Sequence, residues 1–389
     1  MITAHKWRYL LATCSGLLMT GAFPKFGYHC MAWFALVPLL TAIRGQAAKA
    51  SFQFGFIAGL VHFMTLVYWV AYTMRTYGYL PWPVCISVLV LLAAILALYI
   101  AVFSATVAAL NLKPAAGIVT IPFIWVSTEY LRAILFTGFP WELLGHSQYQ
   151  NLHIIQISDI FGVYGVSALI VLVNAVIAFL IPFRSGKTSQ GIPISRKFVV
   201  AGVCAAMLLF ALTWIYGEWR LRMIDRMSES SPSITAAVVQ GNVEQSVKWN
   251  PDFQAATIDK YLRLSKGIIA QRPDIVVWPE TALPFYFGHN EALTDSVTKG
   301  LRQMRTDFLF GSPAFTRKAK TVAYYNSAFL TDSNGDVRGQ YNKAHLVPFG
   351  EYVPLKRWLP FLGKMVAQVG DFATGRVGDT ITWRNHRLG

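Results

Sequence analysis

Long apolar segments separated by short basic ones occupy the first 217 residues of the chain. A helix needs about 20 mainly apolar residues to cross the hydrocarbon core of a bilayer. Charged residues make up 14% of the chain, against roughly 25% in soluble domains. These features predict a polytopic α-helical membrane domain over residues 1–217. The seven candidate spans are residues 7–24, 28–43, 53–74, 84–110, 115–135, 160–182 and 197–216.

The lysines and arginines between these segments predict an orientation. With the N-terminus inside, the inside segments carry nine basic residues and the short outside loops carry three, as the positive-inside rule requires. An odd number of spans then places everything after Gly217 outside, which in a bacterium is the periplasm. The second and fifth spans are the weakest candidates. The nine inside residues are Lys6, Arg8, Arg44, Lys49, Lys113, Arg184, Lys187, Arg196 and Lys197.

The outside loop over residues 136–150 reads F-T-G-F-P-W-E-L-L-G-H-S-Q-Y-Q. Its aromatic residues fit an interfacial anchor, because tryptophan and tyrosine collect at the membrane surface. They also fit a lid-like arm that touches lipid. Glu142 and His146 give no metal-ligand set, and the four cysteines form no C-x-x-C pair. We therefore expect no metal, no cofactor and no disulfide.

From Glu218 the composition changes to a charged and then serine-rich stretch, which predicts a linker over residues 218–233. Residues 234–389 then alternate between strand-like and helix-like patterns, which predicts a layered α/β sandwich. The strands are expected at residues 234–240, 274–278, 308–311, 325–331 and 337–342, and the helices at residues 251–271 and 290–305.

Polar residues follow three of these strands, where sheets of this kind place active sites. Glu280 follows Trp278-Pro279, Lys343 follows Tyr341-Asn342, and Gln240-Gly241-Asn242 follows the first strand. Alone, Glu280 fits a turn carboxylate and Lys343 a solvated cation. Together they fit a general base, with a pKa raised by burial, and a lysine that stabilises developing negative charge.

The formal net charge of +15 does not predict a nucleic-acid partner, because no zinc-finger spacing or RRM signature is present. The charge lies instead in short clusters between the apolar segments.

Several motifs, in order, resemble the apolipoprotein N-acyltransferase family of the nitrilase (carbon–nitrogen hydrolase) superfamily. They are F-T-G-F-P-W, Q-G-N-V with Lys248-Trp249 after it, V-V-W-P-E-T-A-L-P, Y-Y-N and Y-N-K-A-H-L-V-P-F-G-E-Y-V-P. The resemblance implies a nitrilase-like α-β-β-α sandwich after the membrane domain. It also implies a bacterial inner-membrane enzyme with that sandwich in the periplasm.

The resemblance further implies roles for individual residues. Glu280 matches the general base, Lys343 the oxyanion-stabilising lysine, and Glu351 a second glutamate that positions the nucleophile and the base. Trp249 matches a tryptophan at the lipid entrance, and Phe139 and Trp141 are expected to contact substrate. The family moves an acyl chain from a phospholipid, here expected to be phosphatidylethanolamine. The acceptor is the α-amino group of a lipoprotein's diacylglyceryl-cysteine, and the acyl chain passes through a cysteine thioester.

The nucleophilic cysteine of the family follows the lysine, but no cysteine follows Cys204 here. Ser312 and Ser327 are not in an equivalent position and are interpreted as structural. We expect residues 234–389 to be the N-terminal part of a nitrilase-like domain that is truncated, and this chain to be inactive. The main alternative is a non-catalytic membrane remnant that binds phospholipid or lipoprotein. An amidohydrolase on a membrane anchor would need at most one span, and a transporter would carry clustered charges inside its spans.

Overall fold

The computed structural model describes residues 2–181, 196–318, 321–348, 350–352 and 372–389. The chain divides into two compact units, Met1–Ser231 and Pro232–Gly389. Arg184 and Lys187, used above to predict orientation, lie outside the described residues. So do the end of the sixth predicted span and part of the Y-N-K-A-H-L-V-P-F-G-E-Y-V-P motif.

The first unit is helical throughout its described part. Short 3₁₀ helices at His29–Trp33, Leu135–Thr137 and Leu144–Gln148 connect the α-helices. The α-helices are α1 (Ile2–Gly21), α2 (Val37–Ile43), α3 (Ala48–Leu66), α4 (Trp69–Gly78), α5 (Trp82–Leu110), α6 (Pro114–Ile134), α7 (Leu152–Ile155), α8 (Ser158–Leu180) and α9 (Arg196–Ser230).

Each of the seven predicted spans contains helix, but fewer are long and apolar enough to cross a bilayer on their own. Among the described residues, Trp82–Leu110, Ser158–Leu180 and Val200–Ser230 have the necessary length and hydropathy. Helices α3 and α4, bent by 46°, make a fourth if they count as one span. The prediction of seven spans is therefore not reproduced by this criterion. The second candidate is split into a 3₁₀ helix and the seven-residue α2, and α6 contains Pro122 and two charged residues.

The predicted linker over residues 218–233 is wrong for most of its length, because α9 continues to Ser230. The charged stretch forms ion pairs on the helix instead of a flexible connection. Glu218 pairs with Arg222 one turn later and with His153, and Arg220 binds Asp159 of α8 at 2.9 Å. Pairs four residues apart on one helix face stabilise a helix.

Small residues allow α3 and α5 to pack closely within the helical unit. A Cβ atom added at Gly59 would lie 2.8 Å from the Ala97 Cα, and one added at Gly55 would lie 2.6 Å from the Ile100 carbonyl oxygen. Helices in membranes associate through such small residues, because lipid provides no hydrophobic force between them.

The second unit is an α/β domain. It contains the 3₁₀ helices Pro251–Phe253 and Ile269–Gln271. Its other elements are β1 (Ala236–Val238), α10 (Gln245–Lys248), α11 (Gln254–Ile268), β2 (Ile275–Val277), α12 (Glu291–Met304), β3 (Asp307–Lys318), β4 (Thr321–Thr331), β5 (Val337–Asn342), β6 (Ile381–Trp383) and β7 (His386–Leu388).

The five strands β1 to β5 form one mixed sheet in chain order, and β6 pairs with β7 in a separate hairpin. Strands β1, β2 and β3 are parallel, whereas β3, β4 and β5 are antiparallel. Helices α11 and α12 pack on the sheet through Ile258, Val297 and Leu301, which are buried in the same apolar core as Phe308 and Phe310. All five predicted strands and both predicted helices are present, and the hairpin β6–β7 was not predicted.

Candidate active site

Glu280 lies in a turn that leaves the end of β2. The indole of Trp278 is 2% exposed and donates to the Ser265 hydroxyl at 2.9 Å, which fixes the end of the strand in the core. Gly311 of β3 passes directly beneath the turn, because a Cβ atom there would lie 2.8 Å from the Glu280 Cα. The turn therefore holds the Glu280 backbone against the sheet.

Lys343 follows β5 directly, and its backbone continues the pairing of β5 with β4. Its N–H donates to the Asn326 carbonyl at 2.8 Å, and its carbonyl accepts from the Gly375 N–H at 2.9 Å. The backbone of Lys343 is therefore fixed on both sides, and its side chain projects from a rigid strand end.

Glu351 lies in a tight turn after Lys343. Its carboxylate Oε2 accepts from the Val347 N–H at 2.7 Å, and its backbone N–H donates to the Val347 carbonyl at 2.9 Å. Only 11% of the Glu351 side chain is exposed. A buried carboxylate needs such donors to remain ionised.

The structure brings the three predicted catalytic side chains together. The Lys343 Nζ lies 3.0 Å from Glu280 Oε1 and 3.0 Å from Glu351 Oε1. Asn326 of β4, which is 9% exposed, donates through Nδ2 to the same two oxygens, at 2.6 Å in the case of Glu351. One ammonium group and one amide thus link two carboxylates.

This network determines the charge of its members. Burial alone would raise the pKa of Glu351, but hydrogen bonds from the Asn326 amide, a backbone N–H and the Lys343 ammonium outweigh it and hold that pKa below its ordinary value. Burial alone would lower the pKa of Lys343, but its bonds to the two carboxylates outweigh burial and raise that pKa. Glu351 and Lys343 are therefore both charged at neutral pH.

The expectation that Glu280 is buried is not met within the described residues. Its side chain is 61% exposed, against 11% for Glu351. The difference arises because Glu280 projects from the strand end towards open space, whereas Glu351 is enclosed by its own turn. Glu280 is the carboxylate of the pair that an external reactant can reach.

Asn326 ends the Y-Y-N motif, and the sequence alone indicated no role for it. The sequence feature that could have indicated its role is a side-chain amide in the middle of β4, on the side of the sheet where Glu280 lies. Lys248 also contacts the site, because its Nζ donates to the Glu280 carbonyl at 3.3 Å.

The predicted substrate-contact residues lie in both units, with Trp249 and Trp141 exposed and Phe139 partly buried. Trp249 ends the short helix α10 and is 49% exposed. In the helical unit, Trp141 is 51% exposed and stacks between Trp69, at 5.0 Å between ring centroids, and Phe139, at 5.9 Å. No contact assigns these aromatic side chains to lipid, so that role stays a prediction.

The two serines interpreted as structural make only internal contacts. Ser312 is fully buried and donates to the Phe285 carbonyl at 2.7 Å. The Ser327 hydroxyl bonds to the Asn342 side chain at 2.7 Å. In the described part of the chain, no group of three or more histidine, cysteine, aspartate or glutamate residues is arranged to hold a metal ion.

Known families and proteins match both units. Residues 15–176 match the apolipoprotein N-acyltransferase N-terminal domain, and residues 235–386 match the carbon–nitrogen hydrolase family. The apolipoprotein N-acyltransferase of Geobacter metallireducens is 42% identical over 94% of this chain and 69% of its own length. This chain belongs to the apolipoprotein N-acyltransferase family. The relative from Methylococcus capsulatus is 30% identical over 96% of the chain and 70% of its own length.

Among solved structures, a carbon–nitrogen hydrolase from Helicobacter pylori is 19% identical over 40% of this chain and 50% of its own, with a TM-score of 0.28. The family matches and the sheet topology give the fold: a unit of apolar helices followed by a carbon–nitrogen hydrolase-like α/β domain built on a mixed sheet. Its family is one of membrane-associated acyltransferases that act on apolipoproteins.

Proposed function

We propose that this chain provides the general base and the oxyanion-stabilising lysine of a phospholipid:apolipoprotein N-acyltransferase. The observation that carries the proposal is the single ammonium group, on Lys343, 3.0 Å from both Glu280 and Glu351. A base and a cation held together at a strand end are the groups that acyl transfer needs.

In the first half-reaction, Glu280 takes the proton of a cysteine thiol. The thiolate attacks the carbonyl carbon of a phospholipid ester, and the Lys343 ammonium stabilises the negative charge that forms on the carbonyl oxygen. When the tetrahedral intermediate collapses, the C–O ester bond breaks. The leaving lysophospholipid oxygen takes the proton from Glu280, and the acyl chain remains on sulfur as a thioester.

In the second half-reaction, the α-amino group of a diacylglyceryl-cysteine attacks the thioester carbon. Glu280 accepts a proton from the attacking nitrogen, and Lys343 again stabilises the oxyanion. The C–S bond then breaks, the sulfur regains a proton, and the acyl chain is left in an amide bond. Throughout both steps, Glu351 and Asn326 hold Glu280 and Lys343 in position.

The thiol that this mechanism requires is not among these 389 residues in the position that the family implies. The four cysteines are Cys14, Cys30, Cys85 and Cys204, and none follows Lys343. We therefore expect a polypeptide of these 389 residues alone to bind phospholipid without forming an acyl-enzyme. The second candidate function is a non-catalytic protein that binds phospholipid or lipoprotein through the apolar helices of the first unit.

The location of the reaction follows from the same proposal. An enzyme that takes acyl chains from phospholipid, with phosphatidylethanolamine as donor, works at a membrane surface. The apolar helices of the first unit fit a bacterial inner membrane, and the excess of basic residues in the inside loops favours a periplasmic hydrolase-like domain.

The test is to incubate the purified chain with phosphatidylethanolamine that carries a labelled acyl chain. We expect binding of the phospholipid without a hydroxylamine-sensitive adduct in mass spectra of the protein. A thioester on any of the four cysteines, followed by acyl transfer to a diacylglyceryl peptide, would refute the assigned mechanism. Failure to bind the phospholipid would refute the proposed function, and failure to bind the diacylglyceryl peptide as well would refute the second candidate.

A further inference from the structure

Two buried charged residues of the helical unit take no part in the proposed reaction. Glu129 and Arg132 lie one turn apart on α6 and are 4% and 5% exposed. Charged side chains are rare inside membrane proteins and mark functional positions. No carboxylate oxygen of the described residues lies within ion-pair distance of the Arg132 guanidinium.

Both residues bind the backbone of the segment that carries Phe139 and Trp141. The Arg132 Nη1 donates to the Trp141 carbonyl at 3.1 Å, and the Arg132 carbonyl accepts from the Phe139 N–H at 2.8 Å. The Glu129 Oε1 accepts from the Leu144 N–H at 2.7 Å. The helix therefore holds residues 139–144 at both ends and in the middle.

The backbone of residues 136–142 adopts conformations that need external support. Phe136 and Glu142 both have positive φ values, at 53° and 52°, in a region that side chains with a Cβ rarely adopt. Gly138, with φ at 79°, has no room for a side chain, because a Cβ atom would lie 2.0 Å from the Ala133 carbonyl. Such conformations persist only where surrounding contacts impose them.

A small cavity adjoins the same contacts. Its volume is about 20 Å³, and its wall includes Glu129, Arg132, Glu142 and Trp125. Within the described part, Glu129 Oε2 and Glu142 Oε2 are buried without a hydrogen-bond partner. A cavity of this size admits one water-sized molecule, and a water bound there would donate to these free oxygens. It would thereby join α6 to the segment at a further point.

We propose that Glu129 and Arg132 are positioning residues that hold Phe139 and Trp141 in the conformation that receives the phospholipid acyl chain. The inference deepens the proposed function, and its lipid-binding part depends on that function. The two residues act through the backbone, so they determine where the aromatic rings lie without touching lipid. The stack of Trp69, Trp141 and Phe139 is the surface that they position.

The experiment uses the full chain in detergent micelles, labelled with 5-fluorotryptophan. The Trp141 fluorine signal is assigned by its loss in Trp141→Phe, and its position reports the stack with Trp69. The side-chain hydrogen bonds of Glu129 and Arg132 to residues 139–144, called the clamp below, are broken by Glu129→Leu and by Arg132→Met. Glu129→Gln keeps an acceptor for the Leu144 N–H and is the conservative variant.

Thr128→Val is the matched control. Thr128 is buried on the same turn of α6 and donates to the Trp125 carbonyl at 2.8 Å, but it makes no hydrogen bond to residues 139–144. Thr128 also lines the cavity, where valine keeps much of its volume. The variant therefore loses a buried hydrogen bond on the same helix but keeps the hydrogen bonds of Glu129 and Arg132 to residues 139–144.

We expect the Trp141 signal to move in the two clamp-breaking variants and to keep its position in Thr128→Val and Glu129→Gln. Binding of dioleoyl phosphatidylethanolamine, measured by native mass spectrometry, should weaken at least about tenfold in the same two variants, as the loss of a charge-assisted hydrogen bond predicts.

An unmoved Trp141 signal in folded Glu129→Leu and Arg132→Met would overturn the proposal, and so would an equal movement in Thr128→Val. If the unmodified chain binds no phospholipid while the signals move as expected, the clamp is supported and the proposed function is refuted.

Discussion

The ion pairs of Lys343 lead to a quantitative prediction for Lys343→Met. In the native chain, the ammonium group lies 3.0 Å from oxygens of both Glu280 and Glu351. Methionine keeps much of the length and volume of the side chain but removes the charge and all donors. The variant therefore leaves two carboxylates close together with Asn326 as their shared donor.

The loss of stability expected for Lys343→Met lies between the values for losing a surface ion pair and for breaking a buried one. The pair with Glu280 is worth at most about 1 kcal/mol, because Glu280 is 61% exposed. Glu351 is 11% exposed, and breaking a buried pair costs about 3–5 kcal/mol. Lys343 itself is 28% exposed, which reduces that figure. We expect the free energy of opening of the α/β domain to fall by about 2 kcal/mol at pH 7.

The sign of the pH dependence follows from the pKa of Glu351. This pKa is depressed in the folded chain, so its contribution to stability is present above the ordinary glutamate value, about 4.3, and is lost as the pH falls through the folded pKa. In Lys343→Met the pKa of Glu351 rises. The difference between variant and native chain is therefore largest above about pH 5 and shrinks below about pH 4.

Hydrogen exchange of the β3 and β4 amides in the full chain measures the free energy of opening of the α/β domain. A change of about 2 kcal/mol corresponds to roughly 30-fold faster exchange at pH 7. Arg263→Met is the control, because its pair with Asp259 is 72% and 74% exposed and should change exchange little. Equal exchange in Lys343→Met and the native chain at pH 7, or a difference that grows in acid, would refute the reasoning.

Three further predictions concern the same domain and its location. Gly311→Ala should destabilise the domain by about 1–3 kcal/mol and should therefore not slow hydrogen exchange, because the added Cβ atom would lie 2.3 Å from a backbone nitrogen. Gly267→Ala is the control, because nothing lies within 4 Å of a Cβ atom added there. Asn326→Leu should raise the pKa of Glu351 by removing a donor, which carboxyl ¹³C NMR would detect as a higher midpoint. A phosphatase fused after Ser231 should be active if the domain is periplasmic, and activity of a cytoplasmic reporter there would reverse the orientation.

Local pattern was sufficient to predict the elements of the α/β domain. The alternation of short apolar runs with amphipathic stretches predicted β1 to β5 and both helices. The structure adds the cap of α12, where the Asn290 side chain accepts from the Leu293 N–H. The hairpin β6–β7 was missed because its two three-residue strands are too short to show periodicity.

The spatial arrangement of the site required the fold. Glu280, Lys343 and Glu351 were identified by motif, but their shared donor Asn326 follows from the register that pairs β4 with β5. The exposure of Glu280 was also not predictable, because it depends on which elements cover the strand end. In the helical unit, the charges of Glu129 and Arg132 made the fifth predicted span a weak candidate. In the structure, both side chains bind the backbone of residues 139–144.

The extent of helix was the main failure of pattern reasoning. The charged stretch after Gly217 resembled a linker, although it is helical to Ser230. One ion pair four residues apart, Glu218 with Arg222, stabilises its start. Hydropathy also predicted more spans than the three or four described helices that are long and apolar enough on their own, because an apolar run does not reveal a break such as the 46° bend between α3 and α4.

The most direct test of the central claim is acyl transfer by this chain after it is fused to the segment that follows the matched region in a longer relative. The substrates are labelled phosphatidylethanolamine and a diacylglyceryl-cysteine peptide, and mass spectrometry measures the N-acylated product. We expect the fusion to transfer the acyl chain, and Glu280→Gln in it to lower the rate at least about 100-fold. Glu291→Gln, at the exposed start of α12, should have no effect. Full activity of the Glu280→Gln fusion would contradict the assignment of Glu280 as the base.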